Sequence, residues 1–241
     1  MAEAASSLAE EPCRAQDPPM PLTAHLGELR RRLIVALAAA LGGTALMFHW
    51  SGALLELISR PVGRLVFLAP TDAFMTRLKI ALFGGFLLSL PVILHQVWGF
   101  VARALDESWR GPLRRLVSIS YFLFVGGAGL AYFIVLPAAM RFLLACGSQS
   151  VEPLLSVSAY VGFAAALCVA FGAVFQLPLV LFILNRAGLV SKETLRAKRS
   201  YAYVLAFLLA AFLTPGPDVF SQVALAAPTL ILFEITLLVL R

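Results

Sequence analysis

The chain has 241 residues, of which 61% are hydrophobic and only 13% charged, and its 19 Lys and Arg against 13 Asp and Glu leave a net charge of +6. A mean hydropathy of +0.90 excludes an ordinary soluble domain, because a helix needs roughly 20 apolar residues to cross the hydrocarbon layer and a chain this rich in them holds several spans and little else. The pI of ≈ 9.7 then becomes a question of which loops hold the positive charge, and no nucleic-acid partner is expected.

The first residues, MAEAASSLAEEPCRAQDPP, lack the apolar centre of a secretory signal. They read as a disordered polar tail over residues 1–20, ahead of a single transmembrane domain over 21–241. Apolar runs between polar breaks predict six helical spans, at about 32 to 50, 77 to 99, 116 to 136, 159 to 185, 200 to 213 and 219 to 240. Arg30, Arg31 and Arg32 precede the first span, Arg103, Arg110, Arg114 and Arg115 separate the second from the third, and Arg186, Lys192, Arg196, Lys198 and Arg199 separate the fourth from the fifth. The other side holds Arg60, Arg64, Arg77 and Lys79 in its first loop, Arg141 in its second and no basic residue in its third. Lys and Arg concentrate on the cytoplasmic side of membrane proteins, which places both termini there.

Among the outer loops, SGALLELISRPVGRLVF (51–67) has helical spacing up to Pro61 and reads as a short surface helix followed by a turn, with Pro61 a structural breaker. Pro137 and Pro153 bound a second outer segment, and TPGPD makes a tight turn between spans five and six. Span five, about 14 residues and about 21 Å long, is short for a hydrocarbon core of about 30 Å. Neither a periodic repeat nor an inverted pair of broken helices is visible.

Several chemistries lack their residues. No G-x-x-x-x-G-K-[ST] loop is present to hold a nucleotide phosphate, and H-E-x-x-H is missing. His25, His49 and His95 all fall near span ends, away from where an intramembrane serine protease would need its base. Cys13, Cys146 and Cys168 have no metal-ligand spacing, so neither disulfide, metal nor cofactor is expected, and the chain does not read as an enzyme.

The stretch AHLGELRRRLIVAL (24–37) sets one carboxylate, Glu28, among arginines. Leu22, Leu26, Leu29 and Leu33 form one helical face and Glu28 lies off it, three and four residues before Arg31 and Arg32. Physics alone reads this as an intrahelical ion pair on a lead-in helix in the headgroup layer, worth a few tenths of a kcal/mol.

HLGELRRRL also resembles the opening signature of TatC, the polytopic subunit of the twin-arginine protein translocase. The likeness continues in order through LPVILHQVWGFVARAL, YFIVLPAAMRFLL, YVGFAAALCVAFGAVFQLPLVLFIL and RAKRSYAYVLAFLLAAFLTPGPDVFSQVALAAPTLILFEI, covering about residues 20 to 240. The resemblance implies an all-α, six-span protein of the cytoplasmic (inner) membrane with cytoplasmic termini. It further implies a receptor and scaffold that binds the twin-arginine signal peptides of folded precursors, works with the single-span TatA and TatB, and draws on the proton-motive force. It also implies a homo-oligomer within the complex. Glu28 matches the family's first signal-binding acid, beside Arg30, and a carboxylate accepts a bidentate guanidinium contact that lysine does not reproduce. Trp109 stands where the family usually carries its second acid, so Glu107, next to Asp106, is the candidate substitute, and Arg103 occupies a position where proline is common. Trp98 and Phe100 are candidates to pack an apolar residue of the signal, or to act as interfacial anchors.

Within the spans, Gln176 replaces a glutamate common in relatives and cannot titrate, so no proton relay runs through it. It is either a static interhelical hydrogen bond or a docking point for a partner helix; Gln222 and Asp218 resemble part of the surface that TatA and TatB use. Glu234 is the one carboxylate well inside a span, and a tie to another helix or to water near the inner interface is its plain reading. The rival class is a small secondary transporter, with Gln176, Glu234 and Asp218 lining a solute path; a membrane adaptor without signal recognition is a third.

Overall fold

The structure, a computed structural model, describes residues 22–59, 65–105, 113–145, 154–213 and 219–239, with side chains at all of these except 22–25, 103–105, 220 and 239. The tail over 1–20, Pro61, Asp106, Glu107, Trp109, Pro153 and Asp218 therefore lie outside the described residues. The helices in order are α1 (Leu22–His49), α2 (Ser51–Ser59), α3 (Asp72–Leu105), α4 (Leu113–Leu130), a π-helical turn (Ala131–Val135), α5 (Leu136–Ala145), α6 (Val157–Val174), α7 (Leu177–Arg186), α8 (Lys192–Ala197), α9 (Arg199–Leu213) and α10 (Val219–Val239). Among the described residues, five stretches are long and apolar enough to cross a membrane: Leu26–His49, Asp72–Ala102, Leu113–Ala145, Val157–Arg186 and Ser221–Leu238. The sixth, α9, has 15 residues and is about 22 Å long, as short as its sequence predicts.

Three elements depart from the pattern read in the sequence. First, the lead-in is no separate surface helix: α1 runs unbroken for 28 residues, about 42 Å, so one end projects past a hydrocarbon core of about 30 Å. Its leucine face turns outward, with Leu26 63% and Leu33 65% exposed. Second, the third span does not stop near 136 but continues through the π turn and α5 to Ala145. The wider turn closes on a bond from the Leu136 N–H to the Ala131 carbonyl, just ahead of Pro137, whose missing N–H and ring a regular α turn would not accommodate. Third, the fourth span breaks at Phe175 and Gln176. Pro178 has no N–H to offer the Val174 carbonyl, the Gln176 N–H falls back on Ala173 O at 3.0 Å, and α7 restarts with the N–H groups of Leu179 and Val180 on Gln176 O.

The core lies between α3, α4 and α6, around the fully buried Ile80, Leu167 and Phe171, with α1 laid on α3 and with α10 between α7 and α9. Missing side chains let helices close up at two crossings, backbone against backbone at one and backbone against a ring at the other. A Cβ on Gly85 of α3 would lie 2.3 Å from the Thr44 nitrogen of α1, and a Cβ on Gly172 of α6 would lie 2.5 Å from the Phe124 ring of α4.

Successive spans alternate in direction. The start of α1, the end of α3, the start of α4, α8, the start of α9 and the end of α10 thus share one end of the bundle, here termed the basic end because it carries most of the Lys and Arg. At the opposite end α2 is tied down by hydroxyl groups: Tyr132 and Tyr160 donate to the carbonyls of Leu57 (2.7 Å) and Ile58 (2.9 Å) in its last turn, where helical carbonyls lack intrahelical donors. There too Val66 exchanges backbone bonds with Leu155 and Val157, and Lys79 donates to Ser158 Oγ at 2.8 Å and to its carbonyl at 3.0 Å.

Candidate functional site

At the basic end Glu28 and Arg32 are four residues apart on α1, and Arg32 Nε donates to Glu28 Oε1 at 2.6 Å. Both side chains are only 13% exposed, so this is not the solvated pair of the plain reading. Arg32 also crosses to α3, where Nη1 donates to the Gln96 carbonyl at 3.0 Å and lies 3.4 Å from Gln96 Oε1. The crossing depends on Gly99: a Cβ there would sit 2.3 Å from Arg32 Nη1. A charge-assisted bond this short and shielded exceeds the few tenths of a kcal/mol of an exposed pair and fixes the acid in position.

The neighbours divide. Arg30 and Arg31 are exposed, and Phe100 is half-buried. Trp98 is 5% exposed and packs in the core, with Nε1 buried and without a hydrogen-bond partner among the described residues, so its ring stands behind the site rather than at its surface. Glu107, the candidate second acid, lies outside the described residues.

Deeper in the bundle the polar groups close on one another. Gln176 Nε2 donates to the Ser120 carbonyl at 2.9 Å and the Ser120 hydroxyl donates to Gln176 Oε1, a reciprocal pair between α4 and the α6–α7 break. Glu234 on α10 accepts from the Tyr203 hydroxyl at 2.5 Å and lies 3.3 Å from Arg199 Nη2, both on α9. Gln222 Nε2 donates to the Phe207 carbonyl at 3.3 Å, again from α10 to α9. Gln176 and Glu234 thus make the helix-to-helix ties of their plain readings, and none of the three converges with Glu28. Sequence reading missed Gln96, Gly99 and Ser120; their partners lie 64, 67 and 56 residues away, and no local pattern announces such pairs.

Five apolar stretches long enough to cross a membrane, with a shielded acid–arginine pair at one end of the bundle, define a multi-pass α-helical membrane protein. The family model for Sec-independent protein translocase protein (TatC) matches residues 24–228, and the chain belongs to the TatC family. The TatC of Carboxydothermus hydrogenoformans is 40% identical over 230 residues, spanning 94% of this chain and 95% of that protein. The TatC of Escherichia coli (strain K12) is 36% identical over 222 residues, spanning 89% and 86%. A crystal structure of the twin arginine translocase receptor TatC in DDM superposes with a TM-score of 0.80 at 39% identity, covering 90% of this chain and 99% of that one.

Proposed function

We propose that Glu28 is the carboxylate through which this TatC-family chain receives the tandem arginines of a precursor's signal peptide, as receptor and core scaffold of a translocase that exports folded proteins. The observation that carries this is the Glu28–Arg32 pair, 2.6 Å long and 13% exposed, at the basic end. A carboxylate offers about four lone-pair positions, so one that already holds a guanidinium can take part in a second, bidentate contact. Arg32, anchored on Gln96, holds the acid in place; the half-buried Phe100 supplies apolar surface beside it. Glu107 supplies the second acid in the adjoining loop. The concentration of Lys and Arg supports a cytoplasmic position for the basic end, with the chain in the inner membrane. TatA and TatB pack along the far ends of α9 and α10 near Gln222 and Asp218, where Phe212 is 80% and Val219 70% exposed. The transporter reading draws no support from the polar groups within the spans, since Gln176 and Glu234 are bonded between helices instead of facing a common path.

Photocrosslinking tests the reading. With a photoreactive residue in place of Phe100, an arginine-pair signal peptide is expected to crosslink, a lysine-pair peptide much less, and Glu28→Gln to remove the adduct. An adduct that survives both changes would overturn it.

A further inference from the structure

Glycine is, after proline, the poorest helix former, yet a buried glycine, Gly99, lies near the end of α3 beside the candidate site. One group fills the space it leaves. The three atoms nearest to a Cβ at this position would be Arg32 Nη1 at 2.3 Å and Arg32 Cζ and Nη2, each at 3.1 Å. The guanidinium head of Arg32 therefore rests on α3 at Gly99. From there Nη1 donates to the Gln96 carbonyl on α3, and Nε donates to Glu28 Oε1 on α1. These two bonds hold the guanidinium against both helices, and through Nε they direct the carboxylate. The frame around them is stiff: about 21 Å further along α3 the two helices meet again, where a Cβ on Gly43 would lie 2.6 Å from the Gly85 carbonyl oxygen.

We infer that Gly99 is a positioning residue for signal recognition: by seating Arg32 on α3 it orients Glu28, and so sets the preference of the site for arginine over lysine. This rests on the reading of Glu28 as the arginine-binding acid. The link is geometric. A guanidinium fork needs both carboxylate oxygens at a set angle, whereas an ammonium is a point charge that takes an oxygen from many directions. A carboxylate free to swivel keeps its pull on lysine and loses part of its fork with arginine. Gly99 is buried and offers no surface to a peptide, so it acts through Arg32. A methyl group there would meet only the far end of a flexible side chain, which can move aside at little cost to the fold. Arg32 would then keep no more than an ordinary i,i+4 pair with Glu28 on α1.

The test is binding of an arginine-pair and a lysine-pair signal peptide to the purified full chain, compared across the parent, Gly99→Ala, Arg32→Gln, the two changes combined, and Glu28→Gln. Gly99→Ala is expected to weaken the arginine peptide about tenfold, the equivalent of one charge-assisted hydrogen bond, and the lysine peptide about twofold or less. Its unfolding midpoint in mixed SDS micelles should stay at or above that of the parent. In the Arg32→Gln chain, adding Gly99→Ala should change neither affinity, because the methyl group then has no guanidinium to displace. Equal losses for both peptides, no loss for either, a lowered midpoint, or a further loss in the Arg32→Gln chain would each overturn the inference. Glu28→Gln separates its failure from that of the receptor reading. If Glu28→Gln alone abolishes the advantage of the arginine peptide, the acid keeps its role and only that of Gly99 is lost; if Glu28→Gln leaves both peptides unchanged, the receptor reading falls and this inference with it.

Discussion

Replacing Gln176 with leucine removes two hydrogen bonds from the middle of the bundle at once. Its Nε2 no longer reaches the Ser120 carbonyl, and the Ser120 hydroxyl, on a residue 0% exposed, loses its acceptor. Hydrogen bonds between membrane helices average about 0.6 kcal/mol and reach about 1.7, so two give about 1–3 kcal/mol. A serine hydroxyl can fold back onto the carbonyl one turn earlier, which draws the expected loss toward about 1–2 kcal/mol. Ser120→Ala removes one bond and leaves the Gln176 carbonyl unsatisfied, costing about 1 kcal/mol. The double change removes both partners and should cost less than the sum, because no buried group is then orphaned. Unfolding in mixed micelles of rising SDS content, run on all four proteins, gives the coupling, expected at about 1 kcal/mol. Recovery of TatB in a pull-down should not change. Strict additivity, or lost TatB recovery at unchanged stability, would refute the reasoning and turn the amide toward a partner helix.

The same logic applies at the basic end: Glu28→Ala should lower stability by about 1–3 kcal/mol by stranding the 13%-exposed Arg32, and Arg32→Ala added to it should restore part of the loss in the same unfolding assay. Gly85→Ala should cost about 1–3 kcal/mol by forcing α1 off α3 at Thr44, whereas Gly126→Ala, with no atom within 4 Å of its added Cβ, should be neutral or slightly stabilising.

The number of spans and the shortness of the fifth were legible because both are properties of local composition: an apolar run long or short enough is visible without knowing its neighbours. Glu28 was legible as an acid among arginines, but its setting was not. The outward leucine face of α1 gives no hint that the opposite face is sheltered by α3 through an arginine fitted against Gly99. The prolines show the same division. Pro137 read as a boundary, yet a π turn absorbs it; Pro178 lay inside an unbroken apolar run, yet it breaks the helix and brings Gln176 to Ser120. Whether a missing N–H ends a helix or widens it depends on packing against other spans, which one strand of sequence does not record. Trp98 illustrates the limit for aromatics, since a ring near a span end serves equally as anchor, peptide contact or core, and here it is core.

The most direct test of the receptor account is a double-mutant cycle between Glu28 and the arginine pair of a signal peptide, measured as binding to the purified full chain. Parent and Glu28→Gln are each titrated with an arginine-pair and a lysine-pair peptide at fixed salt. The account predicts a coupling of about 1–3 kcal/mol, with Glu28→Gln costing the arginine peptide about tenfold or more and the lysine peptide little. Equal losses for both peptides, giving a coupling near zero, would mean that Glu28 serves only to hold Arg32 and that the arginines are read elsewhere.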